Sequence, residues 1–175
     1  MIKRLLTVST ICCGLFSGFV FAGGDDKLVP DAEPVISNLG IALGYRIHGF
    51  DMSHYQEKVD WNKLKELQLD KDIHLSFVFL RATMGADRQD SKFNEYWKEA
   101  KRIGLMRAPY HYFDTKQSTM QQVHNFVNRV KLEPGDLPPV LDLEVRRLRK
   151  KKDVVKYQQA VKLWLNSVEK ALGVK

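Results

Sequence analysis

The chain has 175 residues, of which 44% are hydrophobic and 28% are charged. This composition is typical of a globular protein and excludes a wholly disordered, collagen-like or coiled-coil chain. The 28 Lys and Arg residues outnumber the 21 Asp and Glu residues, so the formal net charge is +7. The length allows one domain with a sizeable core.

The first 22 residues have the pattern of a secretory signal peptide. Lys3 and Arg4 form a short basic region, an apolar stretch covers residues 5–21, and Ala22 ends a small-residue cleavage pattern. Cleavage before Gly23 would export the protein to the periplasm or outside the cell, with no segment stably inserted in the membrane. It would also remove both cysteines, which excludes a disulfide in the exported chain. A retained membrane anchor is the alternative interpretation.

Residues 23–45 are rich in Gly, Asp and Pro, which predicts a leader or tether before an ordered domain over residues 46–175. Apolar runs within that domain predict four strands, over residues 47–52, 75–83, 106–113 and 140–145. Each strand is followed by apolar residues at helical spacing. The expected caps and stops of these helices are Asp60, Asp90 or Ser91, Gly104, Ser118 with Gln121 as a capping box, Asp153 and Gly173.

The centres of the four predicted strands are evenly spaced. Phe50, Phe79, Tyr110 and Leu141 are separated by 29, 31 and 31 residues, which is the length of one β/α unit. Strands alternating with helices indicate a mainly parallel sheet, either a β/α barrel or an open doubly wound sheet. About four such units fit in the chain, whereas a closed barrel of eight needs roughly 200 to 250 residues. No Gly-rich phosphate loop follows a strand, which disfavours nucleotide binding.

Acidic residues at the ends of two predicted strands are the candidates for chemistry. Asp142 and Glu144 are two positions apart on the fourth strand, so their side chains should point to the same face. Crowding should separate their pKa values, which suits glycoside hydrolysis by an acid and an anionic stabiliser. The alternative is a pair of carboxylates neutralised by Arg146 and Arg147. Asp51, which ends the first strand, would face them across a barrel; alone, it could be a helix cap or a turn residue.

Four segments resemble, in order, the motifs of glycoside hydrolase family 25, the secreted lysozymes that cut peptidoglycan. They cover essentially the whole chain after the leader. The segments are Phe50-Asp51-Met52-Ser53-His54-Tyr55-Gln56 with Val59-Asp60-Trp61, then Phe77-Val78-Phe79-Leu80-Arg81-Ala82-Thr83-Met84-Gly85, then Ala108-Pro109-Tyr110-His111-Tyr112-Phe113, and finally Leu137-Pro138-Pro139-Val140-Leu141-Asp142-Leu143-Glu144.

The resemblance implies an irregular TIM-like β/α barrel, here incomplete, that hydrolyses the β-1,4 bond after N-acetylmuramic acid. Glu144 would act first as general acid and then as base. Asp142 would orient or stabilise the acetamido group that assists the reaction, and Asp51 would support the site and bind sugar. Peptidoglycan glycan strands are the implied partner, and no cofactor is implied. The expected substrate contacts are Tyr55, Arg81, Tyr110 and His111.

Three features depart from the family pattern. Arg81 stands where the family usually has Lys, which keeps the charge but changes the donor geometry. Met84 stands where the family usually has Glu, and the last strands of the barrel have no counterpart in the sequence. The alternative hypothesis is therefore a catalytically impaired glycan-binding remnant, or a fragment of a longer lysozyme.

Two competing interpretations concern the histidines and a basic run. His111 could bind a metal ion together with Asp51 and Asp142. No H-x-H or H-x-x-x-H pair is present, so a packed or cleft-lining His111 is preferred and no metal is expected. The run over residues 146–152 could attract anionic polymers or nucleic acid, although a solvated loop is the simpler interpretation. A secretion signal argues against nucleic acid, and the oligomeric state is left open.

Overall fold

The fold is described from a computed structural model of the protein. The structure describes residues 21–22, 47–56, 58–69, 75–144 and 150–174. The predicted signal peptide before Phe21, the predicted leader, and the part of the basic run at residues 146–149 lie outside the described residues. These three assignments stay predictions.

Strands and helices alternate along the described part of the chain, as the spacing of the apolar runs predicts. The strands are β1 (Phe21–Ala22), β2 (His48–Met52), β3 (Leu75–Met84), β4 (Arg88–Gln89), β5 (Met106–Tyr112) and β6 (Val140–Asp142). The α-helices are α1 (Trp61–Leu69), α2 (Phe93–Ile103), α3 (Thr119–Arg129) and α4 (Lys151–Leu172), and a 3₁₀ turn covers His54–Gln56.

The sheet order is β1-β2-β3-β5-β6, with β4 paired to β3. The pairs β2–β3, β3–β5 and β5–β6 are parallel. Each β/α unit therefore adds its strand on the same side of the previous one. This is the winding of a β/α barrel, whereas a doubly wound sheet reverses direction. The curled sheet is an incomplete TIM-like barrel, which confirms the predicted fold class.

Two short strands were not predicted from the sequence. Strand β1 pairs antiparallel with β2, through Phe21 opposite Gly49 and Ala22 opposite His48. Strand β4 folds back on the end of β3 in a hairpin that turns at Gly85, which has a φ of 61°. Strands of two residues have no apolar period of their own, so only pairing with a neighbour reveals them.

The four helices cover one face of the sheet, and this covered side is the core face. Val78 and Leu80 of β3 are fully buried there, between the side chains that the helices contribute. The largest buried helix side chains are Tyr96 of α2, Phe126 of α3 and Trp164 of α4. Burial of this apolar area is the main stabilisation of the domain.

Most predicted helix ends are correct. Asp60 caps α1, because its Oδ1 accepts the backbone N–H groups of Asn62 and Lys63 at 3.2 and 3.1 Å. Gly104 ends α2 and Gly173 ends α4, both with positive φ angles. Ser118 is the N-cap residue of α3, as predicted, but its side chain makes no capping hydrogen bond, so the capping box is wrong.

Several boundaries differ from the prediction. The N-cap of α2 is Lys92 rather than Asp90 or Ser91. Helix α4 begins at Lys151, two residues before Asp153. Strand β6 ends at Asp142 and so is shorter than predicted, since Leu143 and Glu144 follow it as exposed non-strand residues and Val145 lies outside the described residues.

A register shift in β3 changes which side chains face the helices. Arg81 pairs with Tyr110, yet Thr83 rather than Ala82 pairs with His111. Ala82 is therefore the extra residue of a β-bulge. The bulge turns Thr83 to the core face while Arg81 stays on the opposite face.

Candidate active site

The face of the sheet opposite the helices, here called the inner face, carries the acidic residues. Asp51 of β2 lies between Phe50 and Met52, which pack toward the core. Asp142, the last residue of β6, follows Leu141, which also packs toward the core. Because successive strand residues alternate between faces, Asp51 and Asp142 both point to the inner face. They lie at the carboxyl ends of their strands, as predicted.

The three predicted acidic residues influence one another. Burial, and then the charges of Glu144 and Asp51, raise the pKa of Asp142 to about 6, with Arg81 opposing them. Asp142 is half-buried, and Glu144, two residues beyond it, is exposed. The end of β6 therefore presents one desolvated carboxyl group beside one that solvent or a substrate can reach.

Two tyrosines of β5 lie on the same face. Tyr110 is buried, and its pKa is raised first by that burial and then by Asp51, with a further contribution from Asp142. Tyr112 pairs with Asp142 across the sheet, and its pKa is raised by burial, Glu144 and Asp142. Tyr112 was not among the predicted substrate contacts, and its two-residue spacing from Tyr110 is the signal that places both on one face.

Arg81 occupies the centre of a hydrogen-bonded network beside the acidic residues. It is 8% exposed, and its Nε donates to Asp90 Oδ2 at 3.0 Å. The same oxygen accepts the backbone N–H of His54 at 3.0 Å, and Asp90 Oδ1 accepts the N–H of Lys92 at 3.0 Å. Burial alone would raise the pKa of Asp90, but these hydrogen bonds outweigh it, so the pKa lies below its usual value.

The His54 ring completes this network. Its Nδ1 lies 2.9 Å from Asp90 Oδ2 and 2.8 Å from Arg81 Nη2. One ring nitrogen either donates to the carboxylate or accepts from the guanidinium, so its tautomer decides which bond forms. Asp90 is thus a positioning residue for Arg81 that the sequence indicated only as a helix cap. A buried arginine requires a carboxylate, and that requirement is the signal that could have identified Asp90.

Tyr55 lies over this network and faces solvent. Its ring centroid is 5.0 Å from the Arg81 guanidinium carbon and 4.2 Å from the His54 ring. The side chain is 73% exposed. A cation beneath an aromatic ring holds the ring in place while its other face remains accessible. Tyr55 is therefore available for stacking, and its predicted role in substrate binding stays a prediction.

His111 lies on the other side of the sheet from the carboxylates. It is fully buried, stacks on Trp164 at a ring distance of 5.4 Å, and its Nε2 donates to Gln122 Oε1 at 3.1 Å. The Thr83 hydroxyl, 2.7 Å from Nδ1, completes the pairing of both ring nitrogens. Burial lowers the pKa of His111 to about 4. Of the two roles left open by the sequence, packed and cleft-lining, the structure shows the packed one, and the predicted substrate contact is corrected.

This placement also bears on the metal hypothesis. His111 faces the helices whereas Asp51 and Asp142 face the inner side, so these three side chains do not converge on one ion. Within the described ranges, no group of three or more potential ligand side chains is arranged to hold a metal. In the same part of the chain, no helix combines the length and hydrophobicity needed to cross a bilayer.

The sequence profile of glycosyl hydrolases family 25 matches residues 50–175, and the chain belongs to this family. It is 38% identical over 135 residues to the protein YegX of Escherichia coli strain K12, covering 77% of this chain and 48% of that protein. It is 27% identical over 117 residues to lysozyme M1 of Streptomyces globisporus, covering 65% of this chain and 38% of that lysozyme.

Solved structures agree with this assignment. The chain superimposes on a family 25 glycosyl hydrolase from Bacillus anthracis with a TM-score of 0.64 and 25% identity, covering 82% of this chain and 62% of that one. The chain thus spans about half of the length of YegX and less of the lysozyme. The match confirms the family and the fold on which the site is built.

Proposed function

We propose that this chain carries the catalytic site of an exported peptidoglycan hydrolase, a β-1,4-N-acetylmuramidase. The observation that supports this best is the group of Asp51, Asp142 and Glu144 at the carboxyl ends of β2 and β6. Burial, followed by the charges of Glu144 and Asp51, raises the pKa of Asp142 to about 6. Two neighbouring carboxyl groups in different environments are what acid-assisted cleavage of a glycosidic bond requires.

In the proposed reaction, Glu144 donates a proton to the oxygen that leaves the anomeric carbon, and the bond between them breaks. The acetamido oxygen of the same sugar bonds to that carbon, and Asp142 stabilises the resulting positive charge. Glu144, now a carboxylate, takes a proton from water, and the oxygen of that water opens the intermediate. The product then ends in N-acetylmuramic acid. Glu144 is exposed, so the oxygen of a bound substrate can reach its carboxyl group.

Export is part of the proposal and rests on residues 1–22. Cleavage after Ala22 would release β1 from its pairing with β2, so the mature sheet would begin at β2. Fractionation of expressing cells and N-terminal sequencing of the exported chain test this point. A chain that is retained in the cytoplasm, or that keeps residues 1–22, contradicts it.

The alternative is a glycan-binding remnant without turnover. Arg81, a predicted substrate contact, already pairs with Asp90 and His54, and Met84 replaces a carboxylate of the family pattern. The chain spans about half of the length of YegX, and its described strands form an incomplete barrel. Binding of glycan strands without release of fragments would favour this alternative.

The test is digestion of purified peptidoglycan by the 175-residue chain, with released fragments identified by mass spectrometry. Fragments that end in N-acetylmuramic acid, and that disappear in Glu144→Gln, would support the proposal. Glu99→Gln on α2 is the matched control, because it removes a carboxylate on the opposite side of the sheet and should leave activity unchanged. Circular dichroism of each variant verifies folding, and a folded wild-type chain that releases nothing contradicts the catalytic proposal.

A further inference from the structure

An exposed arginine lies in line with the acidic residues across the sheet. Arg88 of β4 pairs with Met84 of β3, Met84 pairs with Tyr112 of β5, and Tyr112 pairs with Asp142 of β6. Directly paired residues project from the same face of a sheet. Arg88 therefore stands on the inner face with the proposed catalytic residues, at the other end of a row of four strands.

The length of this row separates the arginine from the carboxylates. Neighbouring strands lie about 4.8 Å apart, so the Cα atoms of Arg88 and Asp142 are roughly 14 Å apart. That distance exceeds the reach of an ion pair and corresponds to more than one sugar residue of a glycan strand. Arg88 nevertheless lowers the pKa of Tyr112, while Glu144 and Asp142 raise it. The charges of the arginine and of the acidic residues therefore both reach Tyr112, which lies between them in the row.

The backbone that carries Arg88 is held in place by α3. Asn125 is buried, and its Nδ2 donates to the carbonyl oxygens of Gly85 and Arg88 at 3.0 and 3.1 Å. Gln117 Oε1 accepts the backbone N–H of Ala86 in the same hairpin. The N–H of Gly85 donates to the Tyr112 carbonyl at 3.1 Å, which ties the hairpin to β5. The hairpin therefore presents its arginine from a fixed position.

The guanidinium itself is available for binding. Arg88 is exposed, and no carboxylate of the described residues lies within ion-pairing distance of it. By contrast, the guanidinium of Arg81 on the same face is buried against Asp90. A planar guanidinium binds a carboxylate through two parallel hydrogen bonds, which an ammonium group cannot reproduce.

We propose that Arg88 is a specificity-determining residue that binds a carboxylate of an acidic glycan lying along the inner face. The proposal rests on the proposed function only in taking a glycan as the bound polymer. Asp51, Asp142 and Glu144 would repel an anionic group placed beside them. Arg88, roughly 14 Å from Asp142, binds that group away from the acidic residues. It thereby selects an acidic strand over a neutral one. In peptidoglycan, the carboxylate is either the free lactyl group of a sugar or a carboxylate of the peptide attached to it.

The test measures binding by calorimetry in the Glu144→Gln background, so that no turnover is required. Three ligands of matched length are compared: glycan strands stripped of peptide, strands with peptide attached, and neutral oligomers of N-acetylglucosamine. We expect Arg88→Gln to weaken binding of at least one acidic ligand by about tenfold. Binding of the neutral oligomer should not change. A loss confined to stripped strands identifies the lactyl carboxylate, and a loss confined to peptide-bearing strands identifies the peptide.

Two further variants control for charge and folding. Arg88→Lys keeps the charge, so it should bind acidic ligands more weakly than wild type but more tightly than Arg88→Gln does. Lys98→Gln removes an exposed charge from α2 and should not change binding of any ligand. Equal effects of Arg88→Gln on acidic and neutral ligands, no effect on any of them, or no binding by the chain would overturn the proposal. All binding is measured in the Glu144→Gln background. The result for Arg88 therefore does not depend on whether the wild-type chain is catalytically active.

Discussion

Replacing Asp142 by Asn should make the protein more stable while removing its proposed activity. In the folded chain the pKa of this carboxyl is raised from 3.8 to about 6, first by burial and then by Glu144 and Asp51. Deprotonation is therefore less favourable in the folded state than in the unfolded state. Asparagine cannot be deprotonated and does not carry this cost.

The expected size follows from the same pKa change. A change from 3.8 to about 6 corresponds to about 3 kcal/mol of free energy of unfolding. Because Asp142 is only half-buried, solvent screening reduces this figure, and we expect a gain of about 1 to 1.5 kcal/mol at neutral pH. Gains of this kind are typical where a functional group is held in an unfavourable environment.

The pH dependence provides the sharper test. Because the folded-state pKa is raised, the stability that protonated Asp142 contributes is fully present below about pH 3.8. This contribution is lost as the pH rises through about 6. The difference between Asp142→Asn and wild type should therefore be small at pH 3.5, grow between pH 4 and 6, and stay constant above that. The loss of activity should be complete at every pH.

Urea unfolding followed by circular dichroism, at pH 3.5 and pH 7.5, measures this difference. Asp87→Asn is the matched control, since Asp87 is an exposed residue of the β4 hairpin and should show no such pattern. A destabilised Asp142→Asn variant, or a difference that is equal at both pH values, would refute the reasoning. It would mean that Asp142 is a structural residue rather than a strained functional one.

The remaining predictions concern activity, the core and the inner-face network. If Asp142 must be anionic, the initial rate of peptidoglycan hydrolysis should fall in acid, well below the Asp142 pKa of about 6, and an undiminished rate in that range would contradict this role. Trp164→Ala should lower the free energy of unfolding by about 3 to 5 kcal/mol in urea titrations, because the side chain is fully buried. Asp90→Asn should cost about 3 kcal/mol at pH 7, since a buried guanidinium loses its partner, and the deficit should shrink in acid because the pKa of Asp90 is lowered. Gly85→Ala should reduce the melting temperature more than Gly135→Ala does: both have positive φ, but only at Gly85 would a Cβ approach another group, at 2.5 Å; equal reductions would contradict this.

The sequence alone predicted the parts of the fold that depend on local burial. Apolar runs about 30 residues apart indicated parallel strands and intervening helices, and the four parallel strands begin within a residue of their predicted positions. The same alternation predicted that Asp142 and Glu144 share a face, but β6 ends at Asp142, so for Glu144 this stays a prediction. The family resemblance rested on these strand ends and is confirmed over residues 50–175.

Tertiary structure decided the features that depend on register and on contacts distant in sequence. The bulge at Ala82 turns Thr83 toward His111 and so completes the hydrogen bonding of a buried ring. The pairing of Arg81 with Asp90 depends on the hairpin between β3 and β4. Neither the bulge nor the hairpin has a period in the sequence, because both arise from how one backbone fits against its neighbours. The same local pattern that predicted the strands therefore could not tell which side chains of β5 would face the helices and which the acidic inner face.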